Sequence, residues 1–149
     1  APLIMGFDVT RTGRAPLTRE EYVKTVAIHS NTELIALNQD ALGKPGRRIR
    51  GQGALEVWIK ELGDGTRAVA LFNRTSASAT MAISQTDLGW ASESRIHVRD
   101  LWLHQDLTPF SGTFTKTVGV HTAEVFRMSP NPIGQPVEVL RTWTRRSPG

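Results

Sequence analysis

Carboxylates, imidazoles and indoles are the side chains of this sequence that could do chemistry, since it contains no cysteine. Without thiols, disulfides and thiolate metal sites are excluded. The four histidines, His29, His97, His104 and His121, show neither H-x-x-x-H nor H-E-x-x-H spacing, so no zinc site is expected. No G-x-S-x-G elbow and no phosphate-cradling glycine loop occurs, and no cofactor is expected. The carboxylates scatter over helix starts, alternating strand faces and turns, and no pair stands out for acid–base work. Asp8 is the exception. It lies just past the apolar run Leu3-Ile4-Met5, where a parallel strand opens into its loop and where the active sites of βα-barrels are built. A functional role for Asp8 stands beside a structural one, such as capping a nearby helix. Asp40 follows Asn38-Gln39 at a helix end, where turn and cap roles are the default. Trp58, Trp90, Trp102 and Trp143 offer faces that can stack on sugar rings, or pack in a core or interface.

The elements that must position these groups change in kind near residue 50. Leu3-Ile4-Met5, between Pro2 and Gly6, fits a strand buried on both faces. Such strands belong to parallel sheets, and the rest of the chain offers it no parallel partner. Thr18 and Glu21 form a capping box, with Leu17 and Tyr22 at the staple positions, and open a helix over about 18–29. Its apolar face is Tyr22, Val23, Val26 and Ala27. Asn31 or Thr32 caps a second helical stretch through Leu34, Ile35 and Leu37.

Residues 43–53, rich in Gly and charge, read as a connector. Beyond it Leu55, Val57 and Ile59 alternate with Glu56, Trp58 and Lys60, the period of a strand. Gly63-Asp64-Gly65 is a hairpin signal, and Arg67–Asn73 returns. Further strands are expected at Ala79–Ser84, Arg95–Leu101, Gly112–Val118 and His121–Met128. Strands at this spacing, without intervening helices, predict an antiparallel β-sandwich. The tail after Ser129 offers Val137-Glu138-Val139-Leu140 as a possible edge strand.

At 149 residues, 39% hydrophobic and 21% charged, the chain suits one domain plus a portion of another. No run reaches the eighteen apolar residues of a membrane span, and no membrane association is expected. The formal charge is +4, with arginines gathered at Arg47, Arg48 and Arg50 and again at Arg141, Arg145 and Arg146. No stacking aromatics or recognition motif accompany them, so a solvated face is expected rather than a nucleic-acid surface. The chain starts without Met or a signal-like segment, which points to a beginning inside a longer protein.

Several runs together resemble the α-galactosidase (melibiase) family of glycoside hydrolases. They are Ala1-Pro2-Leu3-Ile4-Met5-Gly6-Phe7-Asp8, the stretch from Glu33 to Lys44 (ELIALNQDALGK), Leu55-Glu56-Val57-Trp58, Arg67 to Arg74 (RAVALFNR) and Val98-Arg99-Asp100-Leu101-Trp102. The match runs in order from residue 1 to about 129. The resemblance implies the last βα unit of a (β/α)8 barrel in residues 1–50, an antiparallel β-sandwich over 51–129, and a tail at 130–149. The fold class is thus mainly β. It further implies retaining hydrolysis of terminal α-galactosides or related sugars by a pair of carboxylates about 5–5.5 Å apart. Both catalytic Asp residues of the family come from earlier barrel strands, and no residue here matches either motif. The chain alone is therefore expected to be inactive without its N-terminal barrel.

What carries over is substrate contact by Met5, Gly6 and Asp8 at the pocket floor. Phe7 stands where the family has Asn, and Ala41 where Pro is common. A secreted or extracytoplasmic location is implied. A different class of function is a stand-alone sandwich that binds carbohydrate or acts as a scaffold; a reading frame without function is a third.

Overall fold

A computed structural model describes residues 18–51, 53–91 and 94–133. The run Leu3-Ile4-Met5, Asp8 and Val137–Leu140 lie outside the described residues. Among the described residues two helices lead into eight strands. Helix α1 (Arg19–His29) starts at the expected capping box: the Thr18 hydroxyl accepts from Glu21 N at 3.2 Å, and Thr18 N donates to Glu21 Oε2 at 2.9 Å. Helix α2 (Thr32–Asn38) is capped by Asn31, whose Oδ1 accepts from Glu33 N and Leu34 N, both at 3.1 Å.

The strands are β1 (Arg47–Arg50), β2 (Leu55–Glu61), β3 (Arg67–Asn73), β4 (Ala79–Ser84), β5 (Ile96–Asp100), β6 (Gln105–Phe110), β7 (Thr113–Val118) and β8 (Thr122–Ser129). Six of them form one antiparallel sheet in the order β1-β2-β3-β8-β5-β6, so the last strand sits between β3 and β5. The second sheet is the pair β4–β7. The mainly β, antiparallel class expected from the alternation is the one observed.

Two strands differ from the sequence reading. Residues 47–50 pair with β2 and are a strand, not part of a connector. Polar Arg47, Arg48 and Arg50 hid it, because an exposed edge strand buries little and so carries no alternation signal. Strand β6 is likewise absent from the sequence pattern, since Pro109 and a polar start obscure its period; as an edge strand it tolerates proline.

In the β1–β2 turn the most constrained position is Gly51. Gly51 has φ +92°, and a Cβ there would lie 1.9 Å from the Leu55 carbonyl oxygen. Only glycine fits both demands.

The two sheets enclose the core by period-two alternation. Val57 and Ile59, Val69 and Leu71, Ile96 and Val98, and Phe126 and Met128 point inward from the large sheet, and Met81, Ile83 and Val118 meet them from the small one. Phe126 is fully buried, with Phe114 edge-on at a centroid distance of 5.1 Å. Burying a side chain of this size stabilises by roughly 1.5–3 kcal/mol.

Each end of the sandwich is closed by a buried amide. Gln85 donates to the carbonyls of Ala91 and Ser94 and accepts from Gly112 N. At the other end Asn73, 1% exposed, donates from Nδ2 towards the carbonyls of Ala77 (2.8 Å), Gly119 (2.9 Å) and Val118 (3.1 Å). Its Oδ1 accepts from Thr75 N and Oγ1. One side chain thus ties the exit of β3 to the β7–β8 turn.

Candidate functional site

The residues expected to touch substrate, Met5, Gly6 and Asp8, lie outside the described residues, as does Phe7. Among the described residues no group of three or more His, Asp or Glu side chains is arranged to hold a metal ion. The histidines are dispersed. His29 Nδ1 lies 2.7 Å from the Thr25 carbonyl, His104 meets Glu33, and His121 occupies a left-handed turn position with φ +51°.

What the fold does assemble is a clamp between α2 and the outer face of the large sheet. Arg99, on β5, makes a two-pronged contact with Glu33: Nε to Oε2 at 2.6 Å and Nη2 to Oε1 at 2.9 Å. Its remaining Nη1 donates to Asp106 Oδ1 on β6 at 3.1 Å. His104 Nδ1 lies 2.6 Å from Glu33 Oε1, brought there by a left-handed turn, φ +55°. Both Glu33 and Arg99 are buried. Burial alone would raise the Glu33 carboxyl, but hydrogen bonds from Arg99 and His104 outweigh it and hold it below the usual glutamate range. Hydrogen bonding to Glu33 likewise raises Arg99 above its ordinary value. A carboxylate engaged on both oxygens is a poor general base, so this set holds an element in place rather than moving protons.

Two neighbours extend the clamp. Asn31 Nδ2 donates to the Leu101 carbonyl at 2.8 Å, so the residue that caps α2 also pins it to the sheet. Asp40 accepts from Leu42 N at 3.1 Å, the expected turn role. It also takes Gly63 N of the β2–β3 hairpin, at 3.0 Å. Sequence alone gave no signal for pairing Glu33 with Arg99, since the partners are far apart in the chain and alternation marks Arg99 only as outward-facing.

Beside α2 the outer face of the sheet is apolar. Leu37, Trp58, Ala68, Ala70, Phe72 and Val125 line an open groove of about 330 Å³. Lys60 and Arg74 supply its charged lining, and buried Glu56 accepts from Trp58 Nε1 at 2.9 Å and pairs with Arg48 at 3.0 Å and Arg74 at 3.4 Å. The indole N–H groups are engaged internally: Trp58 on Glu56, and Trp102 on the Ala123 carbonyl at 2.9 Å. Trp90 packs against the core, with the Arg67 guanidinium 5.5 Å from its ring. Trp143 lies outside the described residues. Of the arginine group on β1, Arg48 is tied to Glu56 and Arg50 to Asp87 at 2.5 Å.

Helix α1 buries none of its residues. Tyr22, Val23, Val26 and Ile28 are 60%, 56%, 43% and 51% exposed. Tyr22, Val23, Val26 and Ala27, expected as the packed face, are thus all exposed. Among the described residues no helix is long and apolar enough to cross a membrane.

Residues 52–128 match a family model described as the α-galactosidase C-terminal β-sandwich domain. An α-galactosidase of Oryza sativa subsp. japonica is 34% identical over 131 residues, 88% of this chain and 29% of that protein. α-Galactosidase 3 of Arabidopsis thaliana is 37% identical over 137 residues, 89% of this chain and 29% of that protein. The chain therefore spans under a third of the length of these relatives. Among solved structures, α-galactosidase I from Mortierella vinacea superposes with a TM-score of 0.72 at 32% identity, over 86% of this chain and 32% of that one.

Proposed function

Because the chain belongs to the family of α-galactosidase C-terminal β-sandwich domains, we propose that it is the closing portion of a retaining glycoside hydrolase acting on terminal α-galactosides or related sugars. Residues 1–50 form the end of its catalytic barrel, 51–129 the sandwich, with β1 as an added edge, and 130–149 a tail. The observation that carries this reading is the uncovered apolar surface. The groove around Trp58 and Phe72 lies beside α2, and α1 presents Tyr22, Val23, Val26 and Ile28 to solvent. Apolar surface of this extent calls for a partner layer, and a βα-barrel supplies one.

The clamp from Arg99 to Glu33 then transmits the position of the barrel's last helices to the sandwich. Met5, Gly6 and Asp8 reach the floor of the sugar pocket, with Phe7 altering one substrate contact. The enzyme works outside the cytoplasm, and the sandwich itself holds the barrel rather than the sugar.

The test is the native species. An antibody to residues 53–133 is expected to detect a protein well above 16.4 kDa, large enough for a barrel of about 250 residues. That protein should turn over p-nitrophenyl α-galactoside, while the 149-residue chain alone should not. A native band at 16.4 kDa, or turnover by the chain alone that Asp8→Ala abolishes, overturns the reading.

A further inference from the structure

Between the sheets, one end of the sandwich sets an amine against a carboxyl group. Asp100 follows Ile96 and Val98 on the inner face of β5 and pairs in register with Phe126 of β8. Lys116 lies between Phe114 and Val118 on β7, so its side chain enters the same interior from the small sheet. Asp100 is fully buried. Lys116 Nζ lies 3.6 Å from Asp100 Oδ2 and 5.7 Å from the ring of Phe126, which is itself locked in the core. The amine is thus held between a fixed aromatic face and a fixed carboxyl group.

The two oxygens of Asp100 are held differently. Oδ1 accepts from Trp102 N and Leu103 N, both at 3.0 Å, whereas Oδ2 takes no hydrogen bond. Two backbone N–H groups on one oxygen polarise the carboxyl carbon. They also await the charge which that oxygen takes on when a nucleophile adds, the arrangement of an oxyanion hole. The bare oxygen is the one free to leave, and the amine lies against it. Fixed approach replaces a chance encounter, and exclusion of bulk water favours condensation over hydrolysis.

We propose that Lys116 and Asp100 condense to an intramolecular amide, a covalent cross-link that the fold itself forms between β7 and β5. A proton passes from the Lys116 ammonium to Oδ2, and the neutral Nζ adds to Cγ. The negative charge gathers on Oδ1, facing Trp102 N and Leu103 N. A second proton moves from Nζ to Oδ2, the Cγ–Oδ2 bond breaks, and one water leaves as the carbonyl re-forms on Oδ1. An ammonium and a carboxylate enter, an amide and a water emerge, and no oxidant or further reactant is needed. The bond joins strands of different sheets, which share no backbone ladder. This inference is independent of the catalytic reading above.

The test is the intact mass of the folded 149-residue chain after prolonged incubation at neutral pH. The expected mass is one water below that of the sequence. After unfolding and digestion with trypsin, residues 100–127 should appear as one peptide, lighter by one water, because an acylated Lys116 is no longer a cleavage site. An amine-labelling reagent applied to the unfolded chain should leave Lys116 unmarked. Lys116→Arg, which keeps the cation but not the nucleophile, is expected to show its full mass. A native chain of full mass, with Lys116 cleaved by trypsin and labelled, overturns the proposal. So does a loss of water that persists in Lys116→Arg, which would place it in a cyclic imide instead.

Discussion

Replacing Arg99 by alanine is expected to free α2 from the sheet while the β-sandwich stays folded. The substitution strips a buried carboxylate of its two-pronged partner and leaves Glu33 facing the sheet with only His104. Breaking a buried pair from one side typically costs about 3–5 kcal/mol. Here the loss is capped by the docking energy of α2, because undocking lets Glu33 regain water. Hydrogen exchange should therefore show faster exchange over Leu34–Asn38 and unchanged protection in β3 and β8. Arg99→Lys is expected to resemble alanine more than arginine, since an ammonium cannot reproduce the fork. The depressed Glu33 carboxyl gives the pH dependence: the clamp is at full strength above the ordinary glutamate range and fails as pH falls through the lower folded value. Unchanged exchange in α2 of the Arg99→Ala protein would show that the clamp does not hold it.

Asn73→Asp should be the more damaging change, although it alters a single atom type. The Nδ2 of Asn73 faces three carbonyl oxygens. A carboxylate would set a negative oxygen against all three in a fully enclosed site. The expected loss is about 3–5 kcal/mol, the scale of an uncompensated buried charge, and urea unfolding at neutral pH measures it. Partial recovery on acidification, as the new carboxyl becomes protonated and regains a donor, is part of the expectation; a loss that does not depend on pH would point to another cause. The same geometry bears on the Asn73-Arg74-Thr75 triplet, which has the form of an N-glycosylation acceptor. An amide held at 1% exposure is out of reach in the folded protein.

How much of this was legible beforehand depended on burial contrast. Strands β2, β3, β4, β5, β7 and β8 are legible to within a residue at each end, because each turns apolar residues into the core between marked turns. The capping box at Thr18 and the Gly63–Gly65 hairpin were legible because turn and cap chemistry is local. Edge strands β1 and β6 were not, since nothing forces apolar residues onto an edge. Of the site, Asp40 was read correctly as a turn residue, but its second bond to Gly63 N was hidden, and so was the whole Glu33–Arg99 clamp. Those contacts join segments far apart in sequence, and no periodicity encodes a partner across such a distance. The apolar face of α1 was visible in the sequence; that nothing described here covers it became apparent only in three dimensions.

The position of β8 has a consequence for how the molecule is made. Of the described strands, the one at the middle of the large sheet leaves the ribosome last. The β2–β3 and β5–β6 hairpins are local and can form as they emerge, but each keeps an open edge until residues 122–129 arrive to join them. Closure is thus a long-range step, slow by its topology, and before it β3 and β5 present unpaired edges to neighbouring nascent chains. Protease resistance of stalled chains should appear abruptly once Ser129 has cleared the exit tunnel. A chain cut short before that point is two hairpins in search of a strand.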